Sequence, residues 1–425
     1  MRNPDAPLLS PSGIDGHAPR PELLYLVHRI PYPPNKGDKI RSFHLLRHLA
    51  QRYRIHLGAF VDDPADWTQG EVLRRWVEGE LCLLPLSRRR ALLRSLSGLV
   101  TGRPLTLPYY RDGRMQRWVK ARLEQGVRRA LVYSSSMAQY LLPYPEVHRV
   151  IDFVDMDSDK WRQYAGSHAF PLSLLYRREA VRLFAFERTV ARVFAASLFV
   201  SPAEAELFRR QAPEAAARVF AITNGVDTEY FSPDADFTNP YAPGQQAVVF
   251  TGAMDYWANV DAVCWFAEAV WPALSAAHPA AVFYIVGARP EPRVQALAKL
   301  PRVVVTGAVA DVRPYLAHAR LAVAPLRIAR GIQNKVLEAM AMARATVVSP
   351  QALEGIAARP GEEVAVADGA GEFLGRCNGL LADPARAEAM GRRARARVLA
   401  DYGWDAHLAR LDRLIEPASS RKVQP

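Results

Sequence analysis

The chain has 425 residues, 50% of them hydrophobic and 23% charged, which exceeds one ordinary domain and predicts two separate cores. Its formal charge of +12 points to an anionic partner, for which nucleic acid, anionic lipid and phosphorylated substrates all qualify. The distant cysteines Cys82, Cys264 and Cys377 lack metal-ligand spacing and read as buried free thiols, and no run reaches the roughly 18–20 apolar residues of a membrane span.

Residues 1–20 carry prolines and glycines without an apolar stretch, and read as a loose tail rather than a signal peptide. Leu23 to Val27 then predicts a buried strand, followed by a Pro/Gly-punctuated loop, His28 to Lys39, and a helix from about Ile40 to Gln51. Strand, loop, helix is a doubly wound opening, although Gly37 alone does not make a dinucleotide fingerprint. Gly37 and Asp38 also fit a plain turn and helix cap.

Alternation continues with a strand at Ile55 to Phe60, a helix over Thr68 to Gly79 and a strand at Leu81 to Leu84. Ser87 to Gly102 combines Arg88, Arg89, Arg90 and Arg94 with Leu92, Leu93, Leu96 and Val100. Such a face suits an anionic membrane surface, but a surface helix with its leucines on the sheet is the preferred reading. Strands at Ala130 to Tyr133 and Val147 to Phe153 follow. The second runs into Asp155, Asp157 and Asp159, where α/β sheets place ligands; a calcium loop is disfavoured because its glycine and distal glutamate are missing. A cluster of helix caps accounts for the same aspartates. The helix from about Leu172 to Phe194 has Glu187 on its apolar stripe, and that carboxylate needs an arginine or a backbone N–H as partner.

After strands at Ser197 to Val200 and Phe220 to Thr223, the phrase Asn224 to Pro233 leads into a proline-rich linker over 232–244. Ala247 to Thr251 is the next strand and ends at Gly252, where a backbone can approach a phosphate closely. Strands at Val282 to Val286, Val303 to Val305, Leu321 to Ala324 and Thr346 to Ser349 precede helices over 370–381, 384–400 and 404–415. Between them lies Arg327 to Met342, a loop and helix entrance. It holds Arg327, Arg330, Gly331, Gln333, Asn334, Lys335 and Glu338. A helix N-terminus with a lysine suits a diphosphate, and a carboxylate one turn on can accept from a ribose diol. Spacing alone favours an exposed i,i+3 ion pair on a solvated face.

Lys335 to Ala341 (KVLEAMA) resembles the donor-site signature of retaining GT-B glycosyltransferases of family 4. Asn224 to Pro233 resembles the segment that ends the N-terminal domain in that family. The resemblance implies an α/β GT-B fold, two Rossmann-like domains facing each other across a cleft. The expected boundaries are a tail over 1–20, an acceptor domain over 21–231, a linker over 232–244, a donor domain over 245–400 and a crossover helix with tail over 401–425. It further implies metal-independent, retaining transfer from a nucleotide sugar, which serves as co-substrate with no other cofactor. Lys335, Glu338 and Asp155 become the catalytic candidates, and Gly252, Arg327, Arg330, Gly331, Gln333 and Asn334 join Lys335 and Glu338 around the donor. Gly37, Asp38, Arg41 and Asp155 fall on the acceptor side, with Asp152 to Asp155 similar to sugar transferases of exosortase (PEP-CTERM) exopolysaccharide systems.

The implied partners are a glycan or polyprenyl-diphosphate-linked acceptor and an anionic membrane surface, for a cytoplasmic or peripheral protein; nucleic acid is not expected. Two departures stand out. Asp255 and Asn259 occupy a loop where relatives carry cations, leaving Lys335, Arg327 and Arg330 to meet the diphosphate, and Arg330 stands where relatives often carry a first glutamate. The competing readings are a GT-B-like nucleotide-sugar epimerase or hydrolase, and a non-catalytic basic protein on anionic lipid or nucleic acid.

Overall fold

Short β-branched runs that alternate with helices form two fully parallel sheets, because strands covered on both faces must be apolar throughout. The computed structural model describes residues 20–34, 37–167, 169–329 and 332–417. They fall into two units: residues 20–224 with 407–417 form the first, and Gly225–Ala406 the second. The chain thus divides at Asn224 and Gly225, within the phrase read as the domain end.

The first unit holds β1 (Glu22–Val27), β2 (Arg54–Val61), β3 (Leu81–Pro85), β4 (Arg129–Tyr133), β5 (His148–Val154), β6 (Ala196–Phe199) and β7 (Val219–Ala221). Their order is β3-β2-β1-β4-β5-β6-β7. Leu23, Leu24, Tyr25 and Leu26 of β1 are wholly buried. The order reverses between β1 and β4, where Val27 lies beside Tyr133, and parallel sheets leave a ligand crevice at such a switch point.

The second unit repeats the pattern with β8 (Gln246–Thr251), β9 (Ala281–Val286), β10 (Val303–Gly307), β11 (Leu321–Ala324), β12 (Thr346–Val348) and β13 (Ala365–Val366). The order β10-β9-β8-β11-β12-β13 puts its switch point between β8 and β11. Cys264 and Cys377 are buried free thiols in this unit, while Cys82 in the first is only partly buried.

Two local expectations change. The helix anticipated over 68–79 is a 3-10 turn, Pro64–Thr68, and one short helix, Gln69–Leu73. The chain must leave helical geometry early, since Gly79 passes so close to β2 that a Cβ there would lie 2.5 Å from the Ile55 carbonyl oxygen. The basic segment forms two short helices, Arg88–Ser95 and Ser97–Thr101, closed by Gly102 at φ 69°. Their small residues Ala91, Ser95 and Gly98 are buried, whereas Leu93 is 69% and Val100 91% exposed, so the leucines do not pack on the sheet. Glu187 meets the backbone N–H expected of it: among the described residues it accepts from the Ser158 N–H at 3.3 Å and the Ser158 hydroxyl at 2.5 Å rather than from an arginine, and burial pushes its carboxyl up to about 8.

The last helix, Trp404–Ile415, spans the division between the units. Its far end is anchored within the first unit: His48 Nε2 meets Asp412 at 2.8 Å, Tyr53 donates to Glu416 at 2.5 Å, and the His148 ring meets the Leu414 carbonyl at 2.8 Å.

Candidate functional site

In the second unit the chain leaves β8 at Gly252 and leaves β11 toward the Asn334–Ala341 helix, on either side of the switch point. Lys335 Nζ donates to Asn259 Oδ1 at 2.8 Å, and Asn259 Nδ2 donates to the Ala253 carbonyl at 2.8 Å. The lysine also lies over the Phe250 ring, 5.3 Å from its centroid. Gly252 leaves room for this arrangement, since a Cβ there would stand 2.7 Å from Asn259 Nδ2 and 3.3 Å from Lys335 Cε. Gly287 at the end of β9 is equally constrained, because a Cβ would overlap the Gly252 carbonyl.

Lys335 and Glu338 are both half-buried. Burial lowers the Lys335 ammonium to about 8 against the attraction of Glu338. Burial raises the Glu338 carboxyl to about 7 against the attraction of Lys335. No ion pair joins them, and the Glu338 carboxylate has no hydrogen-bond partner among the described residues. The i,i+3 surface pair therefore gives way to a lysine aimed at Asn259 beside an acceptor group left available.

The other donor-side candidates divide. Gln333 caps the helix from extended backbone and Asn334 is exposed in its first turn, so both lie at the N–H end that favours an anion. Arg327 is held by both oxygens of Asp261, with Nε–Oδ2 at 2.9 Å, so its charge is matched rather than left for a diphosphate. Arg330 and Gly331 lie outside the described residues. Sequence reasoning passed over Arg289: it follows Gly287 in the loop after β9 and pairs with Asp255, Nε–Oδ2 at 2.5 Å. Its charge is matched by Asp255 as that of Arg327 is by Asp261, and a basic residue just past a strand-end glycine was the available signal. Asp311 and Arg313 pair with each other at 2.6 Å while the guanidinium stacks 3.7 Å from the Tyr230 ring centroid.

In the first unit, Asp38, Arg41 and Asp155 line one cavity of about 1230 Å³ at the β1–β4 switch point. Gly37 begins the Gly37–Ala50 helix that carries Asp38 and Arg41. Burial raises the Asp38 carboxyl, but the His28 hydrogen bond and the Arg29 charge outweigh it and hold it well below the carboxylate range. Arg29 Nη1 lies 2.8 Å from Asp38, and the His28 ring stacks on Tyr133 at 5.8 Å. Arg41, 1% exposed, donates to Asp152 at 2.8 Å and to Asn224 at 2.8 Å, so most of its guanidinium is committed within the protein. Burial pushes the Asp152 carboxyl up, and Arg41 opposes that shift. Asp155 and Asp157 share Lys160, at 2.8 and 3.4 Å. Among the described residues no group of histidine, cysteine and carboxylate side chains could hold a metal ion, and no helix is long and apolar enough to cross a membrane.

The geometry agrees with comparisons to known proteins. Residues 245–392 match the family described as "Glycosyl transferases group 1", a stretch that contains Gly252, Asn259, Lys335 and Glu338. No curated protein sequence matches the chain. Among solved structures, it is similar to sucrose-phosphate synthase from Thermosynechococcus elongatus, with 17% identity, TM-score 0.61, and coverage of 93% of this chain and 98% of that one. Anabaena HepE in complex with UDP gives 15%, 0.60, 92% and 98%. WaaG, a glycosyltransferase involved in lipopolysaccharide biosynthesis, gives 15%, 0.58, 93% and 100%. At these identities the likeness establishes the fold, two Rossmann-like domains of the GT-B kind, and the family match in the second unit supports a GT-B glycosyltransferase.

Proposed function

We propose that the protein is a retaining glycosyltransferase that moves a sugar from a nucleoside diphosphate onto an acceptor hydroxyl of a glycan or lipid-linked saccharide. The observation that carries this reading is Lys335, oriented by Asn259 beside Gly252, with Glu338 one turn along and unengaged. The diphosphate sits against Gly252 and the N–H groups at the Asn334 helix entrance, Lys335 answers its charge, and Glu338 accepts from the ribose hydroxyls. Solved relatives support a uridine nucleotide as first choice, since HepE was solved with UDP and with UDP-glucose.

In the transfer, the bond from the anomeric carbon to the diphosphate oxygen breaks and the acceptor oxygen bonds to the same face of that carbon. The acceptor's proton passes to the departing diphosphate oxygen, so no separate base is required. The developing negative charge is met by Lys335 and the helix entrance, and no metal takes part in this reading. In the first unit, Asp155 accepts from the acceptor's hydroxyls with Asp38 beside it. The likeness of Asp152 to Asp155 to exosortase-associated transferases makes exopolysaccharide assembly on the cytoplasmic side of a membrane the process proposed.

The test is thermal unfolding with uridine, guanosine and adenosine diphosphates and a short oligonucleotide, on wild type and Glu338→Ala. A nucleotide at about 100 times its Kd adds about 2.7 kcal/mol, a rise of a few degrees. Stabilisation by one nucleotide that vanishes in Glu338→Ala supports the reading. Salt-sensitive stabilisation by the oligonucleotide alone refutes it in favour of a basic binding protein. Conversion of the nucleotide sugar without an acceptor, yielding its epimer, points instead to the epimerase.

A further inference from the structure

The first unit's cavity is large and mostly apolar, and the transfer reaction as described gives no reason for that. At about 1230 Å³ it exceeds the roughly 300–1,000 Å³ that holds a drug-sized ligand. Its walls include Leu92, Leu96, Leu105, Trp161, Leu175 and Leu183. A saccharide laid along such walls would leave its hydroxyls without partners.

The polar groups gather at the sheet end. Asp38, Asp155 and Asp157 offer acceptors there, and two buried nitrogens, His28 Nδ1 and Arg41 Nη2, have no hydrogen-bond partner among the described residues. Three carboxylates interleaved with His28, Arg41 and Lys160 put donors and acceptors side by side, which suits hydroxyls better than a phosphate. The Arg88–Ser95 helix and the residue after it contribute Leu92, Leu93 and Leu96 to the lining, which are also 51%, 69% and 54% exposed and so form its solvent-facing rim. Arg88, Arg89 and Arg90 form its first turn, and none of them meets a carboxylate among the described residues. Leucines stay outward here because Ala91 and Ser95 make the packing face. An apolar rim of this kind marks a site that receives apolar matter.

From this polarity we infer that the cavity seats an apolar chain, acyl or isoprenoid, carried by the acceptor, with the acceptor's hydroxylated head at Asp38 and Asp155. This rests on the transferase reading for the word acceptor, but the chain site is independently measurable. The arginines at the rim match an anionic link or headgroup that remains outside.

The test is binding of methyl, hexyl, octyl and decyl β-glucoside to the full-length protein, each below its micelle concentration, by calorimetry. Affinity is expected to rise about fourfold per buried methylene, with methyl glucoside weakest. Leu96→Asp, at a half-exposed position, and Leu175→Trp, which fills the cavity, each flatten that series while uridine diphosphate binding and thermal stability stay at wild-type level. Geranyl β-glucoside, matched to decyl in carbon number, binding above decyl assigns an isoprenoid chain, and the reverse order an acyl chain. Affinity independent of chain length, or a series that both variants leave as steep as wild type, overturns the inference. A flat series with nucleotide binding intact leaves the transferase reading standing; a steep series without any nucleotide binding removes that reading and keeps the cavity as a chain-binding site.

Discussion

At the switch point of the second sheet, Gly252, Asn259 and Lys335 pack against one another around a small polar site, with Glu338 beside it. At the switch point of the first sheet the strands end beneath a cavity walled by leucine and aromatic side chains. Both sheets are parallel and both reverse order beside their first strand. The sheet therefore decides where a ligand goes, and the segments that follow the strands decide what kind. After β8 and β11 those segments are a glycine turn and a short helix entrance, which bring backbone and one lysine together in the arrangement proposed for a phosphate. In the first unit the extra helices between β3 and β4 wall off volume instead.

The two sites also handle buried charge differently, and this is where the comparison can be broken hardest. Arg41 and Asp152 are a fully buried pair, so Asp152→Ala leaves a guanidinium uncompensated. The expected cost is about 3–5 kcal/mol, read as an earlier denaturant transition of the first unit, with nucleotide affinity of the second unchanged. A variant of wild-type stability would show that this pair is not what holds the end of β5. Lys335→Ala reverses the pattern: sugar transfer falls by about 10²–10³ in kcat while alkyl glucoside binding is untouched. Equal losses in both assays would erase the distinction between a donor unit and an acceptor unit.

Proton linkage gives a smaller effect confined to the second unit. Nucleotide binding needs Glu338 ionised and Lys335 charged, so affinity peaks between about pH 7 and about pH 8. It falls by up to about tenfold per pH unit on either side. Ligand-free stability moves the opposite way. The raised Glu338 contributes most when protonated, and that contribution is lost as pH rises through about 7. The lowered Lys335 is a burden while charged, and relief comes as pH rises from about 8 toward its ordinary value. Titrating uridine diphosphate affinity and melting temperature across this range checks both signs, and Glu338→Gln should remove the acidic limb alone.

Much of this was open to a reading of residues in order. Parallel strands announce themselves as apolar β-branched runs, whereas the grouping of Lys335 and Glu338 with Gly252 around a donor comes from the family resemblance, since spacing by itself fits a surface ion pair. What the order hides is partnership across distance. Arg41 and Asp152 are 111 residues apart, and nothing local marks either as half of a buried pair. Arg327 looked as available as Lys335 until Asp261 took it, and Arg289 was overlooked because its target, Asp255, sits on another loop. The leucines of the Arg88–Ser95 helix were assigned to the core by their number. The small residues between them made the closer contact, and the cavity they line is assembled from segments that no local window contains.

The return of residues 407–417 to the first unit sets an order of events during synthesis. Everything the second unit needs lies within one continuous stretch, and that stretch is made before the partners of His48, Tyr53 and His148 exist. At about 5–20 residues per second, the first unit waits roughly 10–40 seconds after Asn224 is joined before its own last helix is translated. The half of the protein that is written first is the half that is finished last, and a stop codon between Ala406 and Asp412 strikes the N-terminal sheet rather than the C-terminal one.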